Sequence, residues 1–468
     1  MQNKDPLKFY STAQVAGLAG VHKDTLLRWL RVGLVNEPDR DRRGWRTFSQ
    51  SAAAEVVLVA KSPKTVRGKN LRCSADLAIA AKLSALDWDF HGAKTQYLTH
   101  SLHPYPAKYI PQIPNALIQE LSSVGDTVLD IFSGSGTTLV EALTLKRHAV
   151  GVDASPLAVL IGKAKTTILD SGDVNKLNGL VNKANNLSDQ ISLRSPNLFA
   201  ENPFVSDAYR PDVKAIYFWF ESFVVEELAE ILSWCKSLST KSSETVATVA
   251  FSSVIVAVSK QDSDTRYVRR EKNLRPGDTL KKFARALSSA THKVEEFTDF
   301  VEDRFDRKLI CSSLLDNPDL DMVDMVDLVV CSPPYPNAFS YHLYHMTRMV
   351  WLGMDQPKFK KQEIGSHRKY SSKGANAATV GTFYNEMECI FGWLSKLLKK
   401  DGYACFVVGD STIKGEKIDN TSLLSEAASH QGFIEVTRIE RIIQKTKKSF
   451  NPKIGKIRQE HILVLRKL

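Results

Sequence analysis

Thr127-Val128-Leu129-Asp130-Ile131-Phe132-Ser133-Gly134-Ser135-Gly136-Thr137-Thr138 is the stretch that decides the fold. It opens on a short apolar run, TVLDIF, and a helical stretch, LVEALTL (139–145), follows the glycines. The alternation continues with HAVGVD (148–153) as a strand and PLAVLIGKA (156–164) as a helix. Short buried runs alternating with helices describe a parallel sheet covered by helices. A second block of the same kind runs from MVDLVVCS (325–332) through YACFVVGD (403–410) to EHILVLRK (460–467). The expected fold class is therefore α/β.

Glycines at this strand-to-helix turn let the backbone approach a ligand closely, and the helix N-terminus presents free amides to a carboxylate or phosphate. Asp153 follows Gly136 at the carboxyl end of the next strand, where an acid accepts hydrogen bonds from ribose hydroxyls. Asp130, Phe132, Gly134, Gly136, Thr137, Thr138 and Asp153 thus outline a nucleoside pocket. The spacing by itself leaves a dinucleotide and S-adenosylmethionine both open.

Ser332-Pro333-Pro334-Tyr335, directly after the strand DLVVC, narrows the choice. Two prolines fix the backbone and remove two amide donors, so the carbonyls are left to face a pocket. Methyl transfer to an exocyclic amino group is aided by acceptors that draw the nitrogen toward sp³ geometry. Ser332 and the carbonyl preceding Pro334 are suited to this, and Tyr335 supplies a ring on which an extruded base can stack.

FSGSGTT with SPPY resembles the amino-methyltransferases of restriction-modification systems. In that family FxGxG binds S-adenosylmethionine and the D/N/S-PP-Y/F tetrapeptide is catalytic. Upstream, HPYPAKYIPQIPNALI (His103–Ile118) resembles the segment that folds over the methionine end of the cofactor, which adds His103 and Pro104 to the expected cofactor residues. The resemblance covers about 85–170 and 305–468. It implies a Rossmann-like class I methyltransferase sheet and a base in duplex DNA as target. Serine at the first tetrapeptide position usually accompanies cytosine-N4 methylation in this family, so cytosine is expected, with adenine-N6 as the alternative. A cognate restriction or defence protein is an implied partner.

Two departures stand out. Members commonly carry an acid shortly before the catalytic strand to bind the adenine amino group; in LICSSLLDN the nearest match is Ser313, and Asp316 serves only if the turn differs. The cofactor loop also precedes the tetrapeptide by a long insertion, a segment that often reads the target in such members.

Residues 9 to 60 hold two short helices around a Gly20 turn, followed by a basic stretch, DRDRRGWRTF. They resemble the winged helix-turn-helix of MerR-type regulators, with Arg28, Arg42, Arg43 and Arg46 as expected DNA contacts. The expected organisation is 1–60 helix-turn-helix, 61–84 polar linker, 85–170 cofactor-binding half, 171–300 mostly helical insertion and 301–468 catalytic half. Within the insertion only ETVATVAFSSVIVAV (244–258) reads as a buried strand. Arg266, Arg269 and Arg270 beside Tyr267 suit phosphate positioning and stacking, and a basic loop around Lys369 is a second candidate.

With 43% hydrophobic and 25% charged residues the chain can bury a real core, and a net charge of +11 favours a polyanionic partner. The six cysteines have no paired spacing, so neither a metal site nor a disulfide framework is indicated, and a cytoplasmic home is expected. No run approaches the ~18 apolar residues that span a bilayer, so no membrane role is expected. An RNA base methyltransferase, a protein-glutamine methyltransferase and a DNA-binding regulator with a decayed catalytic body are the competing readings. The intact loop, acid and tetrapeptide speak against decay.

Overall fold

A computed structural model describes residues 9–31, 35–41, 45–61, 74–194, 204–213, 216–316, 324–337, 339–372, 377–443 and 459–468. Seven strands form the main sheet: β1 (Thr127–Asp130), β2 (His148–Asp153), β3 (Arg307–Cys311), β4 (Val326–Cys331), β5 (Leu398–Gly409), β6 (Phe433–Ile442) and β7 (Gln459–Lys467). Their spatial order is β6-β7-β5-β4-β1-β2-β3. All neighbours are parallel except at β7, which runs antiparallel to β5 and to β6. This is the Rossmann-like sheet expected from the sequence. The order reverses between β1 and β4, which opens a crevice at the carboxyl ends of those two strands.

The strands read as unbroken apolar runs because both faces are covered. Alternate side chains go to opposite sides: Val128, Leu328 and Cys405 pack with Ile113, Leu117 and Leu139 on one face. Leu129, Val329 and Phe406 pack with Phe383, Met387 and Phe391 on the other.

The insertion is helical, with Ser171–Arg194, Ser222–Lys236, Lys241–Val258 and Asp278–Phe300 as its long members. It shares one core with Leu157, Ile161 and Ala164 of the helix after β2 and with Trp351, so it forms an added layer on the catalytic body. ETVATVAFSSVIVAV is not a strand but the bulk of helix Lys241–Val258. A continuous apolar run reads alike for a buried strand and a buried helix, and burial on nearly every side removed the amphipathic signal. This helix is also long and apolar enough to cross a membrane, contrary to the sequence expectation, but it is largely buried between its neighbours.

The N-terminal unit packs helices Thr12–Leu18, Lys23–Arg31 and Gln50–Lys61 against a three-stranded sheet of Tyr10–Ser11, Asp39–Arg40 and Arg46–Phe48. Ser11 caps the first helix in a capping box with Gln14. The expected linker 61–84 needs correction at its end: Ser74–Ser84 is a helix. Its Leu77 joins the N-terminal core while Ala80 and Leu83 join the sheet core. Buried Asp76 accepts from Arg466 Nε of β7 at 2.8 Å, fixing this bridge to the sheet. Alanine-rich sequence with little amphipathic contrast hid the helix, because it is covered on two sides.

Candidate functional site

A cavity of about 320 Å³ lies in the crevice. Phe132, Gly134 and Asp153 line one side, and Ser332, Pro333, Pro334 and Tyr335 line the other. The two sequence motifs, far apart in the chain, therefore face one space of small-molecule size.

The cofactor side is organised by backbone amides. Gly134 N donates to Asp153 Oδ2 at 2.8 Å, and Ser155 N donates to Asp153 Oδ1 at 2.8 Å. Burial pushes the Asp153 carboxyl up to about 6 despite those two donors. Gly136 has φ +81°, and a Cβ there would lie 3.1 Å from Gly162 Cα, so the loop passes directly over the helix after β2. Asp130 sits beneath the loop. It accepts from Phe132 N at 3.0 Å and from the Thr138 hydroxyl, which in turn meets the Tyr109 hydroxyl. Burial pushes Asp130 up to about 7. Gly136, Thr137 and Thr138 start the following helix and do not line the cavity.

His103 and Pro104, expected at the cofactor, are also absent from the cavity wall. His103 is buried, with Nδ1 2.8 Å from Pro104 O and Nε2 3.0 Å from Ser252 Oγ, so it ties the segment to the insertion. Burial drives its imidazole well below the ordinary value. The segment reaches the cavity a few residues later, through Tyr105, Ala107, Lys108 and Tyr109. A family-level match could not say which of these neighbours turn inward.

On the target side the tetrapeptide is held from two directions. Gly365 has φ +71°, and a Cβ there would fall 2.6 Å from Tyr335 O, so only glycine lets this segment press against the tetrapeptide. The Tyr335 hydroxyl lies 3.3 Å from Glu460 Oε1 and 3.4 Å from Val407 O, and burial pushes its pKa well up. Arg441 Nη1 donates to Glu460 Oε2 at 2.7 Å, and Arg441 Nε donates to Trp88 O at 3.0 Å. Glu460 itself lines the cavity. Nothing in EHILVLRK marked it out, because its role depends on β7 lying beside β5.

Aromatic rings complete the wall. Tyr105 and Tyr341 stack with centroids 5.9 Å apart and planes at 15°, and Phe339 lies 5.7 Å from Tyr341. All three line the cavity. Ser312 and Ser313 line it as well, whereas Asp316 accepts from Gln362 Nε2 at 2.6 Å and does not. Glu363 lines the cavity too, but its carboxylate is engaged by Tyr341 N, His342 N and His342 Nδ1.

The expected DNA contacts fall elsewhere. Arg42 and Arg43 lie outside the described residues, as does the side chain of Arg28. Arg46 is tied to Glu37, with Nε 2.8 Å from Oε1. Arg266, Arg269 and Arg270 belong to a hairpin, Gln261–Ser263 with Arg266–Arg269, and are exposed. Each has a carboxylate: Asp262 for Arg266 and Arg270, at 3.2 and 3.4 Å, and Glu271 for Arg269 at 2.7 Å. The hairpin is anchored beside the cavity wall by Gln261 Nε2 to Tyr344 O at 3.1 Å and by the buried Arg348 to Asp264. Lys369 is half-buried on helix His367–Tyr370.

Most of the chain is similar to known proteins. Residues 61–163 match the DNA methylase family of N6/N4 methyltransferases, and residues 10–61 match the MerR HTH family of regulatory proteins. Type II methyltransferase M.MjaII of Methanocaldococcus jannaschii is 23% identical over 456 residues, covering 78% of this chain and 82% of the relative. Type II methyltransferase M.MvaI of Kocuria varians is 23% identical over 382 residues, covering 72% and 82%. Type II methyltransferase M.BglI of Bacillus subtilis is 30% identical over 126 residues, covering 26% and 33%.

Proposed function

From the premise that the chain is a DNA methyltransferase of the N6/N4 kind with a MerR-type helix-turn-helix at its head, we propose that it methylates the N4 amino group of cytosine in duplex DNA. The observation that carries this reading is the meeting of Asp153 and Gly134 with Ser332–Tyr335 across one cavity.

The residues present fit S-adenosylmethionine. Asp153 is fixed by two amides with lone pairs left for ribose hydroxyls, and the glycine loop keeps its path only because no side chain at Gly136 meets Gly162 beneath it. Phe132 and Leu314 offer apolar surface for an adenine ring, and Tyr105 and Lys108, also in the cavity wall, would cover the methionine end. The bound cofactor supplies a methyl group already activated on a sulfonium. Ser332 Oγ and the Pro333 carbonyl hold the target amino group, while Tyr335, Phe339 and Tyr341 exclude water and stack on the extruded base. Serine in the first position favours cytosine over adenine.

The N-terminal unit, the exposed face of the hairpin with Arg266, Arg269 and Arg270, and Lys369 on helix His367–Tyr370 are assigned to DNA. Because the hairpin arginines are matched by carboxylates, their contribution is positional more than one of bulk charge. A restriction or defence partner and a cytoplasmic setting complete the reading.

The test is incubation with labelled S-adenosylmethionine and bacterial genomic DNA, followed by nucleoside mass spectrometry. The expected product is 4-methylcytosine. Finding 6-methyladenine would overturn the base assignment and leave the mechanism, whereas label only in RNA or protein would refute the reading.

A further inference from the structure

A tetrapeptide that begins with serine offers neutral acceptors only, yet a carboxylate stands beside it. Glu460 lines the cavity together with Ser332–Tyr335. Its Oε2 is taken by Arg441 Nη1 at 2.7 Å, and Arg441 is itself buried and held by Trp88 O. The carboxylate is therefore fixed by one oxygen, and the other, Oε1, points to the Tyr335 hydroxyl at a long 3.3 Å. An oxygen of this kind has two acceptor positions, so Tyr335 leaves one for a group in the cavity.

Resting on the cytosine-amino reading above, we propose that Glu460 is a catalytic residue whose Oε1 accepts a hydrogen bond from the target amino group and then takes its proton. The amino nitrogen forms a bond to the methyl carbon as the carbon–sulfur bond breaks and its electron pair goes to sulfur. Nitrogen then carries two hydrogens and a positive charge. One proton moves to Glu460 Oε1, the electron pair of that N–H bond stays on nitrogen, and the neutral methylamino base results. The carboxyl group passes the proton to water when the product leaves. A weak base suffices, because an arylamine-type cation with a bond to methyl is a strong acid. Arg441 is the positioning residue of the pair.

The roles separate in single-turnover label transfer to bacterial genomic DNA, with S-adenosylhomocysteine affinity measured in parallel by calorimetry. Glu460→Gln should slow transfer by about a hundredfold or more, the range of general base catalysis, with affinity within twofold of the wild type. Glu460→Asp keeps a charge for Arg441, guards against misfolding of the Gln variant, and should slow transfer about tenfold. Transfer by Glu460→Gln within threefold of the wild type would overturn the proposal. So would a Tyr335→Phe variant as slow as Glu460→Gln, with no further loss in the double variant, since Glu460 would then act only through the Tyr335 hydroxyl. Wild-type protein that binds S-adenosylhomocysteine but labels no DNA would instead overturn the DNA-methylation reading, and the proton-acceptor role with it.

Discussion

The two sides of the cleft are built differently. On the cofactor side, one stretch from Asp130 to Ser155 supplies the loop, the helix that follows it and the ribose acid, joined by hydrogen bonds to backbone amides. On the target side the parts come from β4, from the Gly365 segment, and from β6 and β7; Tyr335 and Glu460 are 125 positions apart. A site made from local backbone geometry fails when the backbone is strained or crowded. A site made from side chains of distant strands fails by losing individual hydrogen bonds, each worth less.

The largest effect expected from this contrast is at Gly136. Gly136→Val forces a β-branched residue to φ +81° and drives its Cβ toward Gly162 Cα. S-adenosylhomocysteine affinity should fall by more than about a hundredfold, since ~1–3 kcal/mol of strain adds to the displaced loop. Circular dichroism should show the sheet intact. Affinity within tenfold of the wild type would mean that loop geometry does not govern binding.

Next comes Asp153→Ala. Removing one charged acceptor for ribose costs about 1.5–3 kcal/mol, a ten- to hundredfold loss of S-adenosylhomocysteine affinity by calorimetry. Unchanged affinity would sink the ribose assignment. DNA affinity should stay as it is, because Asp153 belongs to the other side of the cleft.

A pH titration sharpens the same point. Burial raises the Asp153 carboxyl to about 6, and ribose hydroxyls need its ionised form as acceptor. Protons therefore compete with the ligand below about pH 6, and affinity at pH 5 should be about tenfold weaker than at pH 7.5. Asp153→Asn should flatten this dependence. The stability linkage runs the opposite way: Asp130 and Asp153, raised to about 7 and about 6, ionise more readily in the unfolded chain. Through these two groups the ligand-free fold loses stability as pH rises from about 4 to 7. A wild-type affinity that is flat between pH 5 and 7.5 would show that the carboxylate does not meet the ligand.

The smallest effect is expected at Tyr335→Phe. The ring stays, and the hydroxyl gives up two long bonds, to Glu460 and Val407. A loss of about 0.5–1.5 kcal/mol predicts roughly three- to tenfold slower methyl transfer, with S-adenosylhomocysteine affinity untouched. A drop in cofactor affinity equal to that of Asp153→Ala would erase the distinction between the two sides.

The sequence is most legible where local backbone chemistry is the cause. FSGSGTT and SPPY announce a turn and a rigid strand end whatever surrounds them, and Asp153 follows from strand length. His103 shows the limit: its segment does approach the cavity, but rotation along the chain gives Tyr105 and Lys108 the wall and sends His103 to Ser252. The arginines of the hairpin look like a basic patch in sequence, yet Asp262 and Glu271 sit among them once the hairpin closes.

By itself the sequence determined the α/β alternation, the glycine loop, the proline-fixed tetrapeptide and the helix-turn-helix, because each depends on residues within a few positions of one another. Only the tertiary structure decided that helix Lys241–Val258 is not a strand, that Ser74–Ser84 bridges two cores, and that Glu460 with Arg441 stands beside Tyr335. The physical reason is common to all three. Burial on several sides erases periodicity, and which strand lies beside which is set by packing over the whole sheet, to which no local stretch of residues is sensitive.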